Sequence, residues 1–596
     1  MFGSPDKGRP HKREAAVSAT GKRWQLRGRF PDGELAGLPH QSLIRHLLWH
    51  RGVRTLPDAN AFLDNARPEY DPLLLPDIEP ALHRLRKAIH EGELIAVYGD
   101  FDVDGVTATA ILTEGLRGLG GRVIPYIPDR FSEGYGVNNG ALKSLREQGA
   151  GLVVTADCGT SSVAEVDFAR QLGMDVIIVD HHTVPPELPA ATAIVNPRRL
   201  ENRYPDPELA AGGLAFKLMA ALHELLQREW RPERYLDLVA LSTVCDMAPL
   251  QGENRWLVKQ GLAVLSRAER PGLRALMEVS GIDRDRVDAD SIGYGLGPRL
   301  NAAGRLAHAR LALDLLLEED EERAKQRALE LTDLNTRRQQ ATAAAMALAR
   351  QMLAEGDPAS GGPLIFVGHA DMPSGIVGLV AGRLAEEHYR PAVVYERGES
   401  ASRASCRSIP EFDITGALRH HAELMVRFGG HRAAAGFTAE NQNLPALKEA
   451  LMARAGDALA HIDLVPVIDI DAAIPLARVN GKLIQSLACL APFGQGNPEP
   501  VFLSRGLEVA DVRAVGDDGQ HLRLRLKDGR TTWPAIAFGL GAHDVQPGQR
   551  LDVVYTFGGD RNTNGGMELR VKDVAEAAPM ASGLLGSAGA VGRSAP

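Results

Sequence analysis

Along residues 93–200 the hydrophobic positions do not alternate. They come in short continuous runs rich in Val and Ile, "LIAVYGD", "RVIPYIP", "GLVVTAD", "DVIIVDHH" and "TAIVNP", with helical patterns between them. Strands that are apolar on both faces belong in a parallel sheet covered on both sides, so this region predicts an α/β domain. From Arg305 to Glu355 there is neither Gly nor Pro, and "EERAKQRALELTDLNTRRQQATAAAMALARQMLAE" is dominated by good helix formers. It predicts one long helix, or two nearly continuous ones, joining two halves of the chain. No strict heptad of large apolar residues is kept, which weighs against a coiled-coil partner helix. After "GDPASGGP" a second α/β stretch opens with "LIFVGH" and "PAVVYER" and runs to about 460. Beyond it "HLRLRLKDG" (521–529) alternates strictly, and "AIAFG", "RLDVVYTFGGD" and "MELRVKDV" follow as short strands. Period-two alternation with turn residues between predicts a small antiparallel β domain, an OB-type barrel.

At 596 residues the chain is too long for one core and suggests three or four domains. Hydrophobic content of 44% and charged content of 24% fit a soluble globular protein. A net charge of −9 excludes a generally basic nucleic-acid coat, though not a local basic groove. The four cysteines form no CxxC pair, so neither a disulfide framework nor a thiolate zinc site is indicated, and a reducing cytoplasm fits. The start, "MFGSPDKGRPHKREAAVSATGKR", is polar and basic and lacks the apolar core of a signal peptide. It reads as a disordered arm, and "MASGLLGSAGAVGRSAP" reads as an unstructured tail. No apolar stretch is long enough to span a bilayer, so no membrane partner is expected.

The chemistry collects at the ends of the predicted strands. "LIAVYG" delivers Asp100, Asp102 and Asp104, "LVVTA" delivers Asp157, and "VIIV" delivers Asp180, His181 and His182; Asp246 follows another apolar run, "LVALSTVC". In an open parallel sheet, ligands bind at the carboxyl ends of strands, so these groups would converge on one crevice. Unpaired, the carboxylates would repel one another. Two divalent cations, Mn²⁺ or Mg²⁺, would explain the crowding, because both accept oxygen and imidazole ligands. "DFDVDG" also fits the first half of an EF-hand loop, but position twelve, which needs a bidentate Glu, is Ile111. Taken singly, Asp157 would be a helix cap and the two histidines structural; their coincidence at strand ends points to a metal site.

These segments resemble the DHH phosphoesterase superfamily, whose name is the triplet standing here as Asp180, His181, His182. "YGDFDVDG", "TADCG", "VDHH" and the Asp of "STVCDMAP" look like its first four motifs. "GPRLNAAGR" (297–305), "SCRSIPEFD" (405–413), "FGGHRAAAGF" (428–437) and "PFGQGNPEP" (492–500) are similar to the later motifs of its RecJ family of single-strand-specific exonucleases. The resemblance implies an N-terminal arm over 1–48, largely disordered, and a parallel-sheet DHH domain over 49–270. A connecting helical region over 271–355 would lead to an α/β DHHA1 domain over 356–462, an OB domain over 463–579 and a disordered tail over 580–596. It implies 5′→3′ degradation of single-stranded DNA to 5′-mononucleotides in recombination and repair. A single-strand-binding protein and a helicase would be partners of a cytoplasmic monomer.

By the same resemblance Asp100 and Asp102 would hold one ion and Asp104, His181 and Asp246 the other, with Asp157 bridging. Asp180 would orient an imidazole, and His182 would meet a phosphate oxygen. Ser405 and Arg407, with Gly429, Gly430 and His431, look like the substrate clamp of the DHHA1 domain. Arg299, Asn301 and Arg305 would contact the backbone, and Arg130 would read a terminal 5′ phosphate. Phe131, Tyr135, Phe412 and Phe428 stand beside motifs and are either base-stacking or core residues. Many members of the superfamily carry a His four residues before the Asp that matches Asp102; here that position is Tyr98, which hands the role to Asp100. Two other readings compete. One is a DHH hydrolase acting on short oligonucleotides, cyclic dinucleotides or pyrophosphate, whose known forms are shorter and lack the OB module. The other is a non-catalytic replication scaffold, which would be free to lose ligands that this chain keeps.

Overall fold

A computed structural model describes residues 18–577 apart from 32, 34, 65–67, 69, 356–361, 517 and 560–565. The arm through residue 17 and the tail from 580 therefore lie outside the described residues. The chain forms two compact units, one of residues 56–464 with 490–498, the other of residues 1–55, 465–489 and 499–596. Among the described residues no helix is long and apolar enough to cross a membrane.

The first unit opens with a five-stranded, all-parallel sheet in the order Arg122–Tyr126, Leu94–Gly99, Ala150–Ala156, Asp175–Val179, Ala193–Val195. The continuous apolar runs are explained by burial on both faces. Ile95, Val97, Leu152, Val154 and Ile177 enter one core, while Ala96, Tyr98, Val153, Val176 and Ile178 enter another on the opposite side. Within this sheet the strand first in chain order, Leu94–Gly99, lies between the second and the third. The direction of winding therefore reverses beside it, and a crevice opens at the carboxyl ends of Leu94–Gly99 and Ala150–Ala156.

A second, mixed sheet of the same unit runs Arg427–His431, Ala434–Glu440, Ala401–Arg407, Ala392–Glu396, Ile365–His369. The stretch without Gly or Pro does form one helix, Glu321–Glu355, of 35 residues, about 50 Å long. Its first half buries Ala324, Ala328, Leu331 and Leu334 in the core of the parallel sheet. Its second half buries Ala345, Met346 and Ala349 beside Ile365, Val367 and Val394 of the second sheet. One helix thus supplies side chains to both cores.

In the other unit, Phe502–Val515, His521–Asp528, Thr531–Ala537, Met567–Glu576 and Arg550–Gly559 pair in sequence, and the last pairs back to the first, closing a barrel. Leu522, Leu524 and Leu526 point inward and the intervening His521, Arg523, Arg525 and Lys527 outward, as the alternation requires. The expectation of a largely disordered arm through residue 48 needs correction. Arg23–Leu26 pairs in parallel with Val467–Ile470, and Ser42–His50 is helical. Trp24 Nε1 donates to the buried carboxylate of Asp573 at 2.8 Å, and Ala19 N donates to Val574 O. The polar look of this segment hid four residues whose partner strand lies more than 400 positions away.

The boundary at 463 is also interrupted, because residues 490–498 belong to the first unit. The Arg255 guanidinium donates to the carbonyls of Leu490, Ala491 and Pro492, and Leu250 N donates to Gln495 O.

Trp24→Phe keeps an aromatic ring and removes the N–H that Asp573 accepts. It is expected to cost about 1–3 kcal/mol locally, read as faster amide hydrogen exchange along Met567–Glu576 than in the parent.

Candidate metal centre

Each acid is placed by its own piece of backbone. Asp102 caps the helix Val103–Gly118, its Oδ1 accepting from Asp104 N at 2.9 Å and Gly105 N at 3.2 Å. Gly105 allows the chain to fold back on Asp100, since a Cβ there would stand 2.6 Å from Asp100 N. Asp104 is held from across the domain by the amides of Ala211 and Gly212 and by the Ser242 hydroxyl. Asp157 ends its strand at φ 68°, a left-handed conformation unusual for a residue with a side chain. Asp100 is buried, and its Oδ1 has no hydrogen-bond partner among the described residues.

Three overlapping groups result, each with ligand atoms within 4.8 Å of one another: Asp100, Asp102 and Asp157; Asp104, His181 and Asp246; Asp157, His181 and His182. His181 Nε2 lies 3.1 Å from Asp157 and 3.4 Å from Asp104, and its Nδ1 lies 3.8 Å from Asp246. Burial, then the neighbouring carboxylates, push Asp100 and Asp157 well above the ordinary carboxylate range and Asp246 up to about 8. Burial lowers His181, which favours the neutral imidazole that a metal needs. Oxygen and imidazole donors with an unpartnered buried oxygen among them fit Mn²⁺ or Mg²⁺.

Asp180 does not join these groups as a sequence-adjacent ligand. It accepts from Thr160 N, His181 N, His182 N and, at 2.8 Å, His182 Nδ1. The imidazole it orients is therefore that of His182. Burial opposes a charge on His182, but the Asp180 hydrogen bond together with the charges of Asp180, Asp100 and Asp102 outweighs it and raises the imidazole to about 9. Its other nitrogen lies 3.3 Å from the Tyr135 hydroxyl. Tyr98, at the position of the missing histidine, is buried on the opposite face of the sheet. Its hydroxyl donates to Gly136 O and accepts from Asn138, which makes it a support for the loop that carries Tyr135.

Beside the acids stands a group of guanidiniums. Arg130 lies 4.7 Å over the Phe101 ring, feels the attraction of Asp100 and Asp102, and makes no ion pair among the described residues. Arg407 donates to Ser405 Oγ at 3.1 Å. Gly378 leaves room for both, a Cβ there falling 3.0 Å from Ser405 Oγ and 3.3 Å from Arg407. Arg305 donates to Gly375 O and is pulled down to about 10 by burial and by Arg130, Arg338 and Arg407. Arg338, on the long helix, escaped the sequence reading because its neighbours look like a solvated face; the lack of Gly and Pro there signalled only a helix. Arg299 is turned back onto Gly295 O and depressed by burial alone, and Asn301 is half-buried on the same helix; neither is drawn into the cluster by a measured contact.

Gly429, Gly430 and His431 lie on the exposed edge strand Arg427–His431. Position 430 favours glycine twice over, since its φ is 141° and a Cβ there would also stand 2.4 Å from Ala434 O. The His431 ring stacks on that of His182 at 6.2 Å and 15°. Of the four aromatics, Tyr135 faces the site and is 56% exposed, Phe412 is buried in the core of the second sheet, Phe428 packs against that core, and Phe131 is half-buried.

Residues 94–243 match the DHH family, N-terminal domain, residues 361–457 the DHHA1 domain, and residues 470–573 the RecJ OB domain. The chain is 35% identical over 567 residues to the single-stranded-DNA-specific exonuclease RecJ of Bacillus subtilis (strain 168), covering 94% of this chain and 71% of the relative. To the Escherichia coli (strain K12) enzyme of that name it is 34% identical over 571 residues, 90% of this chain and 97% of the relative. The crystal structure of RecJ from Thermus thermophilus in complex with Mn²⁺ superposes with a TM-score of 0.79 at 32% identity, over 93% of this chain and 80% of that one.

Asp246 keeps its proton to about 8 in the folded chain against an ordinary 3.8, so between these values the folded state holds more protons than the unfolded. The melting temperature of metal-free protein is therefore expected to fall as pH rises through that window. Saturating Mn²⁺ should flatten the fall. A metal-free profile without slope would contradict the crowding.

Proposed function

Because the chain belongs to the RecJ family of single-stranded-DNA-specific exonucleases, we propose that it hydrolyses single-stranded DNA 5′→3′ to 5′-mononucleotides, with two Mn²⁺ or Mg²⁺ ions, in recombination and repair. The observation that carries this reading is the pairing of overlapping acid and imidazole groups with arginines that make no ion pair among the described residues. Asp100 and Asp102 would hold one ion, Asp104, His181 and Asp246 the other, and Asp157 both. Such a pair supplies an activated water near neutral pH and neutralises phosphate charge.

The chain's own groups do the rest. The His182 imidazolium, held by Asp180, offers Nε2–H to a phosphate oxygen. Arg130, Ser405 and Arg407 take the terminal 5′ phosphate, a planar guanidinium fork matching its oxygens. That assignment sets the polarity, since the bond to be cut is then the first from the 5′ end. Arg305 contacts the next phosphates, with Arg299 and Asn301 further along. The amides of Gly429 and Gly430 and the His431 ring close over the nucleotide, and Tyr135 stacks on its base. The OB domain binds single-stranded DNA through the outward basic row of its strand His521–Asp528. In this reading the protein is a cytoplasmic monomer that acts beside a helicase and a single-strand-binding protein; the lack of a membrane-crossing helix among the described residues is compatible with that.

Release of label from a single-stranded oligonucleotide, with Mn²⁺ or EDTA and with either end blocked, tests the reading. Mononucleotides are expected only with metal and an open 5′ end, and Asp157→Ala should lower the rate at least about a hundredfold. Cleavage of dinucleotides or pyrophosphate with DNA left whole would overturn the polymer assignment. His182→Ala is expected to cost about a hundredfold in kcat with KM little changed, measured on the same substrate; an unchanged kcat would remove the histidine from the mechanism.

A further inference from the structure

Arg130 and Tyr135 share one loop, residues 127–136, between the strand Arg122–Tyr126 and the helix Asn139–Glu147. The loop's own acids are satisfied within it or beside it. Asp129 Oδ1 accepts from Phe131 N, Ser132 N and Ser132 Oγ, while Glu133 accepts from Asp129 N, Tyr126 and Asn138. Gly134 and Gly136 both stand at positive φ, so the tip that carries Tyr135 lacks regular backbone structure. Tyr98 and His182 touch the tip from its own domain, through Gly136 O and the Tyr135 hydroxyl, and two arginines of the second sheet reach the loop from the other domain.

Arg427, Thr438 and Arg403 are register partners on three neighbouring strands, so their side chains form one row on one face. Arg427 Nε donates to Thr438 Oγ1 at 3.4 Å. Arg403 Nη1 donates to Phe131 O at 3.1 Å. The Arg427 guanidinium lies 3.4 Å from where a Cβ of Gly134 would stand. Neither arginine makes an ion pair among the described residues. The row continues to Glu396, opposite Arg403 on the next strand, yet among the described residues neither arginine pairs with it; two cations turned from one domain toward the backbone of a loop in the other are more than a solvated face would require.

We propose that Arg403 and Arg427 are positioning residues: a cross-strand clasp that fixes the loop 127–136 so that Arg130 meets the terminal phosphate and Tyr135 the base. The rival use of the same arginines is direct contact with DNA phosphates. The inference rests on the nuclease reading for its consequence but not for its geometry, and the test keeps the two apart.

Arg403→Ala, Arg427→Ala and Arg403→Lys are made in the full chain. Without DNA, hydrogen exchange at the amides of residues 130–136 is expected to quicken about tenfold in the alanine variants and to stay near the parent in Arg403→Lys, which keeps a donor for Phe131 O. With DNA, the alanine variants should lose the preference for a 5′-phosphorylated over a 5′-hydroxyl end. Their kcat/KM should fall about tenfold, with the dependence on salt unchanged. Unchanged exchange in both alanine variants would overturn the clasp. So would a salt slope reduced by about one with the loop unaltered, the mark of a lost phosphate contact. If the parent cleaves no DNA, the nuclease reading falls while the exchange measurement still decides the clasp.

Discussion

Asp100, Asp102, Asp104, Asp157 and Asp246 bring negative charge to the mouth of one sheet, where burial makes repulsion stronger than it would be in water. The chain commits backbone to holding them there. Asp104 is pinned by two amides and a hydroxyl from other helices, Asp102 by the first turn it caps, and Asp157 by a left-handed residue at a strand end. These contacts place the oxygens without neutralising them, and one oxygen of Asp100 has no hydrogen-bond partner among the described residues. The remaining architecture is legible as a response to that choice. A cation resolves the repulsion, and a substrate that carries its own negative charge has a reason to come.

The arginines show the complementary state. Arg130, Arg305, Arg338 and Arg407 depress or repel one another, and Arg130 is drawn toward Asp100 and Asp102 without pairing with either. Opposite charges that stand near one another yet form no ion pair leave space for a bridging ligand, and a metal-bound phosphodiester bridges both kinds. Keeping the two groups at that spacing is a packing problem. The helix Glu321–Glu355 addresses it by placing its two ends in the two cores, so the acids of one sheet and Arg407 and His431 of the other share a common strut that itself carries Arg338.

Much of this was readable along the chain because each signal is local. A buried parallel strand is apolar throughout, so the strand ends, and with them Asp100, Asp157 and Asp180 to His182, could be located by counting. The OB alternation and the long helix were equally plain. Where the signal depends on distant residues, reading failed. The strand Arg23–Leu26 is only four residues long and finds its partner at Val467–Ile470; the segment 490–498 leaves one unit for the other because Arg255 collects its carbonyls. Arg338, Arg403 and Arg427 gave no sequence sign of their place in the structure.

The amino-acid sequence by itself determined which groups exist and in what order they leave the sheet, since hydrophobic period and strand length are properties of neighbouring residues. It also determined that unlike domains follow one another and that a helix joins two of them. Only the tertiary structure decided which carboxylate shares which histidine, that Asp180 serves His182 and not His181, that Tyr98 supports a loop in place of binding metal, and which arginines face the acids. Those relations are distances between residues far apart in the chain. They are set by the packing of whole faces, which no local pattern encodes.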